Sequence, residues 1–269
     1  MKIIEPTPLV ADAAKVIAPF WQHVVVIGAA ALQIVLADDQ GEREETLTPA
    51  GLHAGAQATH DDLAMVTPTR DVDLAVDTEL AAEIVAQLEE AGLAPSGEPG
   101  ETGFTWVRDD LKIQLVRSFH PFPDRVAKRL PANPVMSLLN EEAHRIIVAF
   151  EDKPEVPRLQ SANAAALIAL KQAAFGRTRH DGAPVERDFH DAYLVVAARP
   201  DDLERTYRAA DYHVRSRVDT ALGLLAEGGD ATRAAAHQHV LVTGAGDLSE
   251  HALSIRRAAT FFKRRLAAA

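Results

Sequence analysis

The stretch Thr69-Arg-Asp-Val-Asp-Leu-Ala-Val-Asp77 carries the strongest fold signal in this chain. Apolar residues alternate with Asp71 and Asp73 in it, and this period of two predicts a strand with one apolar and one acidic face. Carboxylates roughly 6.6 Å apart along a strand can lean towards shared divalent ions, as in two-metal phosphoryl transfer. The alternative is an edge strand whose outer face is acidic for solubility.

A second signal lies upstream, in the stretch His23-Val-Val-Val-Ile-Gly28. Its apolar run predicts a buried strand that ends at Gly28 and passes through a tight turn into a helix. Glycine at such a turn lets a phosphate approach the backbone, and the following helix presents free N–H groups. Many strand-to-helix turns need a glycine for their geometry alone, so both interpretations stay open at this point.

Two helical segments follow later in the chain, Ala-Leu-Ile-Ala-Leu-Lys171-Gln-Ala-Ala-Phe-Gly-Arg177 and Glu-Arg187-Asp188-Phe-His-Asp191-Ala-Tyr-Leu. Helical periodicity places Lys171 near the middle of an apolar stripe, and a lysine that points inward must find an anionic partner. Asp188 lies at the margin of the apolar stripe of its own helix. The two residues could form an interhelical salt bridge, which is compatible with contact to a nucleotide.

In this order and spacing, the segments resemble the nucleotidyltransferase superfamily related to DNA polymerase beta, and within it the AbiEii-type and MenT-type toxins. The resemblance covers roughly Val24 to Leu194. Together with the pattern of strands and helices, it implies an α/β (α+β) fold. A small mixed-sheet nucleotidyltransferase domain would occupy residues 1–150, and a helical C-terminal domain would occupy residues 151–269.

The resemblance also implies which residues form the site. Asp71 and Asp73 would bind Mg²⁺ or Mn²⁺, and these two aspartates would act in catalysis together with Lys171 and Asp188. The residues expected to contact the nucleotide are Gly28, Ala29, Arg70, Gln114, Lys171, Arg177 and Arg187. The substrate would be a nucleoside triphosphate, and RNA, particularly tRNA, is the acceptor that the resemblance suggests. The chain would then be the toxin of a toxin–antitoxin or phage-defence pair, with a cognate antitoxin protein as partner.

Two departures from the family pattern bear on activity. Ala29 stands where relatives usually carry serine or glycine, which removes a hydroxyl or a flexible unit from the phosphate turn. Gln114, in the predicted strand 111–116, stands where many members carry a third catalytic carboxylate, and glutamine cannot act as a general base. Asp109 and Asp110 lie nearby, but they are expected to form the turn of a hairpin.

These departures leave two other functions open. One is a degenerate member of the fold that binds a nucleotide or a partner protein without turnover. The other is an enzyme that transfers a nucleotide to a small molecule such as an aminoglycoside, or to a protein hydroxyl.

Composition sets broad limits on the class of protein. The chain has 269 residues, 47% of them hydrophobic, a mean hydropathy of −0.07 and no cysteine. These values are typical of a soluble globular protein without disulfides or thiolate metal sites. Glu5, Pro6 and Pro8 interrupt the N-terminal segment, which therefore lacks the apolar core of a secretory signal peptide. The longest apolar run of the chain is too short to span a bilayer. We therefore expect a cytoplasmic protein with no membrane partner.

Charge is unevenly distributed along the chain. The net charge of −11 argues against a general nucleic-acid coat, because non-specific binding needs many cations. Residues 251–269, however, contain five cations and no acidic residue. As a helix, this segment would have an apolar face of Ala252, Ile255, Ala259, Phe262 and Leu266, and a basic face of Arg256, Arg257, Lys263 and Arg264. The basic face could contact RNA phosphates. Alternatively, its cations could stabilise the negative, C-terminal end of the helix dipole.

The remaining segments complete the expected organisation. Strands are predicted at 23–28, 71–77, 104–108 and 111–117, and helices at 29–37, 78–92, 161–175, 185–198, 201–212, 215–227, 230–240 and 249–266. The acidic insertion between Ala37 and Thr67 is expected to be a functional lid or disordered. His53 and His60 within it could bind a metal, although solvated loop histidines are the more common case.

Overall fold

A computed structural model describes residues 2–4, 7–37, 71–96, 104–118, 125–126, 128, 130–150, 153–175, 186–244 and 246–268. These residues form two compact units, one ending at Ala162 and the other beginning at Asn163. The first unit is a mixed α/β structure and the second is helical, so the predicted fold class is confirmed. The sequence analysis placed the domain boundary at residue 150, before the last strand of the first unit.

The described strands of the first unit are β1 (Lys2–Ile4), β2 (Val24–Ile27), β3 (Val72–Val76), β4 (Ala94–Pro95), β5 (Thr105–Arg108), β6 (Leu111–Arg117), β7 (Arg145–Phe150) and β8 (Leu159–Ala162). They form one mixed sheet in the order β1-β7-β8-β2-β3-β6-β5-β4. The pairs β1–β7, β8–β2 and β3–β6 are parallel, and the other neighbours are antiparallel.

The central strands follow the pattern of the sequence. All four residues of β2 are buried, as expected for an apolar run in the middle of a sheet. In β3 and β6, buried Leu74 and Leu115 alternate with half-buried Asp73 and Gln114. Asp109, at a positive φ of 51°, lies in the predicted turn between β5 and β6. The register is therefore the one that the alternation predicts.

Three α-helices accompany the sheet among the described residues, α1 (Pro8–Val16), α2 (Gly28–Leu36) and α3 (Ala81–Glu90). Thr7 caps α1, since its side chain accepts a hydrogen bond from the backbone N–H of Val10. The helix predicted over 78–92 is divided, because Thr78–Leu80 forms a separate short 3₁₀ turn before α3. Asp77 caps this turn by accepting from the backbone N–H of Glu79 at 3.0 Å.

The described helices of the second unit are α4 (Ala164–Ala174), α5 (Glu186–Ala198), α6 (Pro200–Ala209), α7 (Tyr212–Glu227), α8 (Asp230–Thr243) and α9 (Leu248–Ala267). The prediction that the first of these begins at residue 161 is wrong. Ser161 and Ala162 still belong to β8, and the Asn163 side chain caps α4 by accepting from Ala166 N at 3.0 Å.

Packing in the second unit follows the apolar faces of its helices. Helix α5 contacts α4 and α8, and α9 contacts α7 and α8. Ile255, Ala259 and Phe262 of α9 are fully buried, which confirms the predicted apolar face of this helix. In the parts of the chain that the structure describes, no helix is both long enough and apolar enough to cross a membrane.

Candidate functional site

Gly28 and Asp73 are packed against each other at the start of α2. Ile27 pairs with Asp73 across the antiparallel strands β2 and β3, and Gly28 follows with a φ of +67°. A Cβ atom at Gly28 would lie 2.2 Å from Asp73 Oδ2, a distance that no real contact allows. A side chain at residue 28 would therefore have both an unfavourable left-handed backbone and a displaced Asp73 carboxylate.

Gln114 connects the neighbouring strand to the same acidic group. It pairs with Asp73 across the parallel strands β3 and β6, and its Nε2 donates a hydrogen bond to Asp71 Oδ2 at 2.8 Å. Three adjacent strands thus bring Gly28, Asp71, Asp73 and Gln114 together. The amide of Gln114 fixes the orientation of one carboxylate of the pair.

The donor set of this group fits a magnesium ion that brings its own phosphate ligands. Mg²⁺ is usually held by one or two protein carboxylates, with water and substrate phosphates as the other ligands. Asp71 and Asp73 supply two carboxylates from one face of the sheet. Among the described residues, no group of three or more histidines and carboxylates could hold a metal by itself. Triphosphate oxygens would have to complete the coordination.

The structure describes only some of the other residues that are expected near the triphosphate. Ala29 lies in the first turn of α2 with a buried methyl group, so its available contribution is its backbone N–H. Arg70 and Arg177 lie outside the described residues, as does the insertion with His53 and His60.

Lys171 lies inward on α4 and is held by two carboxylates of α5. Its Nζ donates to Asp188 Oδ1 at 2.9 Å and to Asp191 Oδ2 at 2.5 Å. The side chain of Lys171 is buried, which agrees with its predicted place on the apolar stripe. The interhelical salt bridge between Lys171 and Asp188 that the sequence left open is therefore present, with Asp191 as a second partner.

Electrostatics keeps this ammonium charged. Burial by itself would lower the pKa of Lys171, but the charges of Asp191 and Asp188 and their hydrogen bonds outweigh burial. The pKa of Lys171 is accordingly raised above its ordinary value. An ammonium has three N–H donors, and the two aspartates take two of them.

Arg187 is the member of this cluster that is most open to solvent. Its side chain is 34% exposed, against 11% for Lys171 and 2% for Asp191. Arg187 Nε lies 3.9 Å from Asp191 Oδ2, which is too long for a hydrogen bond. The guanidinium is therefore the best placed of the four groups to meet an anionic ligand from solvent.

Asp191 belongs to the motif Arg187-Asp188-Phe-His-Asp191, but no individual role was predicted for it. The sequence indicated that Asp191 lies on the same helix face as Asp188 and Arg187, because it follows them by three and four residues. Its burial depends on the packing of α4 against α5, which the pattern within one helix does not reveal.

The four cations of the basic face predicted for the C-terminal helix are all exposed in the structure, Arg256 among them. Arg256 Nε donates to the carbonyl of Ala226 at 3.1 Å, and Arg265 binds Asp201 and Glu204. Arg257, Lys263 and Arg264 are exposed. Arg256 of the predicted face thus also helps to hold α9 onto its own unit, whereas Arg265 lies outside that face.

Comparison with known proteins gives no match to this chain, either among protein-family models or among curated proteins.

Proposed function

We propose that this protein is a Mg²⁺- or Mn²⁺-dependent nucleotidyltransferase that moves a nucleoside monophosphate from a nucleoside triphosphate to RNA, in particular tRNA. The observation that carries the proposal is the contact between Gly28 and Asp73. It sets the carboxylate of Asp73 against the first turn of α2, where backbone N–H groups can bind phosphate.

In the proposed reaction, a hydroxyl of the acceptor attacks the α-phosphorus of the triphosphate. The bond between the α-phosphorus and the bridging oxygen to the β-phosphate breaks, and pyrophosphate leaves with that electron pair. Bound divalent ions supply neutralisation of the phosphate charge in such transfers. Asp71 and Asp73 would hold these ions, and backbone N–H groups in the first turn of α2 would bind the phosphate beside them.

The other residues of the first unit position these groups. Gln114 orients Asp71 through its hydrogen bond of 2.8 Å. Since an amide cannot accept the proton of the acceptor hydroxyl, that proton passes to solvent or to the substrate phosphate.

In the second unit, Lys171 and Arg187 are the proposed phosphate contacts. The third donor of the Lys171 ammonium is available for one phosphate oxygen, and the partly exposed guanidinium of Arg187 can bind another. Asp188 and Asp191 then hold Lys171 in place rather than act on the substrate.

The biological setting follows from the resemblance to toxin nucleotidyltransferases. The protein would be the toxin of a toxin–antitoxin or phage-defence pair in the cytoplasm, opposed by a cognate antitoxin. Modification of tRNA would stop translation, which is how such a toxin would arrest growth.

The test is to incubate the purified protein with total cellular RNA, Mg²⁺ and each nucleoside triphosphate in turn, labelled at the α-phosphate. We expect label in RNA with at least one triphosphate and none when the label is at the γ-phosphate. Label in an added aminoglycoside or in protein instead of RNA would identify the other class of acceptor.

A second candidate function is supported by Gln114. Its amide donates a hydrogen bond to Asp71 Oδ2, and it stands at the position where many family members carry a third carboxylate. A protein of this kind would bind a nucleotide or a partner without turnover. Tight binding of a triphosphate in the presence of Mg²⁺, without release of pyrophosphate with any acceptor, would favour this function.

A further inference from the structure

Two adjacent phenylalanines of α9 have opposite environments. Phe262 is fully buried and anchors the helix to its unit, whereas Phe261 is 47% exposed. An exposed aromatic ring gives up favourable burial, and it contributes little to the packing that Phe262 already provides. The ring of Phe261 is therefore accessible to a ligand on the solvent side of the helix.

Two cations flank this ring on the same face of the helix. Arg257 precedes Phe261 by four residues and Arg264 follows it by three, so both are neighbours of Phe261 on the helix surface. Both arginines are exposed, and neither has an ion-pair partner within the described part of the chain. The nearby Arg265, in contrast, is neutralised by Asp201 and Glu204.

This arrangement is selective for one kind of ligand. The whole chain carries a net charge of −11. The surface around Phe261 is locally positive instead, because Arg257 and Arg264 lie on either side of the ring. The arginines would bind a polyanion through its negative charges, and Phe261 would stack on a flat ring. Single-stranded nucleic acid combines both features, because its unpaired bases stack on aromatic side chains while its phosphates bind cations.

We propose that Arg257, Phe261 and Arg264 form a binding site for an unpaired nucleotide of single-stranded RNA. The base stacks on the ring of Phe261, and the phosphates on either side of it bind Arg257 and Arg264. The proposal deepens the proposed function by naming an unpaired region of the RNA acceptor, and it rests on that function for RNA being the acceptor. Duplex RNA lacks a free base face and would use the two arginines alone.

The test measures binding of a short fluorescently labelled single-stranded RNA to the full chain by anisotropy, with no triphosphate or divalent ion present. Phe261→Ala should weaken this binding by about 5- to 150-fold, which is the loss expected for one stacked base. Phe261→Trp should retain or strengthen it. Leu248→Ala is the matched control, because Leu248 is an exposed apolar residue of α9 that lies nine residues before Arg257, and it should have no effect.

The arginines are tested through salt dependence. Changing both Arg257 and Arg264 to glutamine removes two phosphate contacts, so the slope of log affinity against log salt should flatten by about 1.4. The control replaces Arg205 and Arg233, which are exposed arginines of the same unit paired with Asp202 and Asp230, and it should leave the slope nearly unchanged. The same RNA annealed to its complement should bind Phe261→Ala and the parent equally.

Three outcomes would overturn the inference: no binding of single-stranded RNA by the parent chain, equal binding by the parent and Phe261→Ala, or an equal loss with Leu248→Ala. Because no transfer occurs in this assay, its result is independent of the enzymatic proposal. Transfer of nucleotide by a protein whose RNA binding ignores Phe261 would refute the stacking site alone. Phe261-dependent binding by a protein that transfers nothing would refute the transferase alone.

Discussion

The carboxylate of Asp73 fills the space that a side chain at residue 28 would need. A methyl group placed on Gly28 would lie 2.2 Å from Asp73 Oδ2 and 3.3 Å from Asp73 Cβ. The turn after β2 and the acidic strand β3 are therefore interdependent, and a change at Gly28 has to move Asp73.

We expect Gly28→Ala to lower the free energy of unfolding by more than Gly92→Ala does. Both glycines have positive φ, 67° and 83°, so both substitutions carry the left-handed cost of roughly 1–2 kcal/mol. Only Gly28 adds the overlap with Asp73, because a Cβ at Gly92 would meet Arg108 Cδ at an ordinary 3.5 Å. Urea denaturation measures both losses.

A second change supplies the control for that comparison. In the Asp73→Gly background the overlap is gone, so Gly28→Ala should then cost about as much as Gly92→Ala. Equal losses for the two glycine variants in the parent background would show that the contact with Asp73 is unimportant for stability.

Gln114→Asp tests the metal site from the neighbouring strand. The substitution replaces a donor to Asp71 with a like charge, so the protein should melt at a lower temperature than Gln114→Ala without metal. With Mg²⁺ the three carboxylates can share the ion, and the melting temperature of Gln114→Asp should rise more than that of the parent. A metal-independent melting temperature in Gln114→Asp would exclude ion binding next to Asp71.

Lys171→Met is expected to destabilise the protein by about 3–5 kcal/mol, because it leaves two carboxylates of α5 without their main cation. Since the pKa of Lys171 is raised, its contribution is complete below the ordinary lysine value and is lost only as pH rises through the raised pKa. Urea denaturation at neutral pH therefore reports the full effect.

The stability lost in Lys171→Met should be restored to different extents when one or the other of the two aspartates is also replaced. Adding Asp191→Leu should restore more stability than adding Asp188→Leu, because the Asp191 side chain is 2% exposed and that of Asp188 is 13% exposed. Lost triphosphate binding in the restored double mutant would support a phosphate contact for Lys171. Unchanged binding would assign Lys171 to structure alone.

His190 makes the helical unit sensitive to acid. Its Nε2 lies 3.1 Å from His239 Nδ1, and burial, together with the charges of His239 and Arg187, lowers the pKa of His190 to about 3. Between the ordinary pKa of 6.5 and about 3, the unfolded chain binds a proton that the folded chain does not. The free energy of unfolding should therefore fall with falling pH in this range, by up to about 1.4 kcal/mol per pH unit from this group.

We expect His190→Gln to reduce this slope, measured by urea denaturation at a series of pH values. His213→Gln is the control, since His213 is exposed on α7, and its slope should match that of the parent. Some slope should remain in His190→Gln because burial also lowers the pKa of His239. An unchanged slope in His190→Gln would mean that His190 is not held neutral in the folded state.

The sequence predicted the strands and helices whose burial follows a local period. Strands β2, β3 and β6 lie in the middle of the sheet, so their alternation or apolar run is strong enough to give the register of Asp73 and Gln114. The inward direction of Lys171 and the buried face of α9 were predicted for the same reason.

Other elements depend on contacts between distant segments and left little local signal. Strand β8 has the sequence Leu-Gln-Ser-Ala, which has no apolar alternation, yet it is buried because it lies between β7 and β2. Strand β1 is three residues long and pairs with residues near 150, and α1 was not predicted. The place of Asp191 beside Lys171 likewise depends on the contact between α4 and α5.

The most direct test of the nucleotidyltransferase proposal is transfer of α-labelled nucleotide to RNA by the parent, Asp71→Asn, Asp73→Asn and Asp77→Asn. Asparagine keeps the size of each side chain, and at Asp77 it can still cap the turn that follows β3. We expect the parent and Asp77→Asn to transfer label, Asp71→Asn and Asp73→Asn to fall to background, and all four to melt at nearly the same temperature. Transfer by Asp71→Asn or Asp73→Asn at the level of the parent would contradict the proposal.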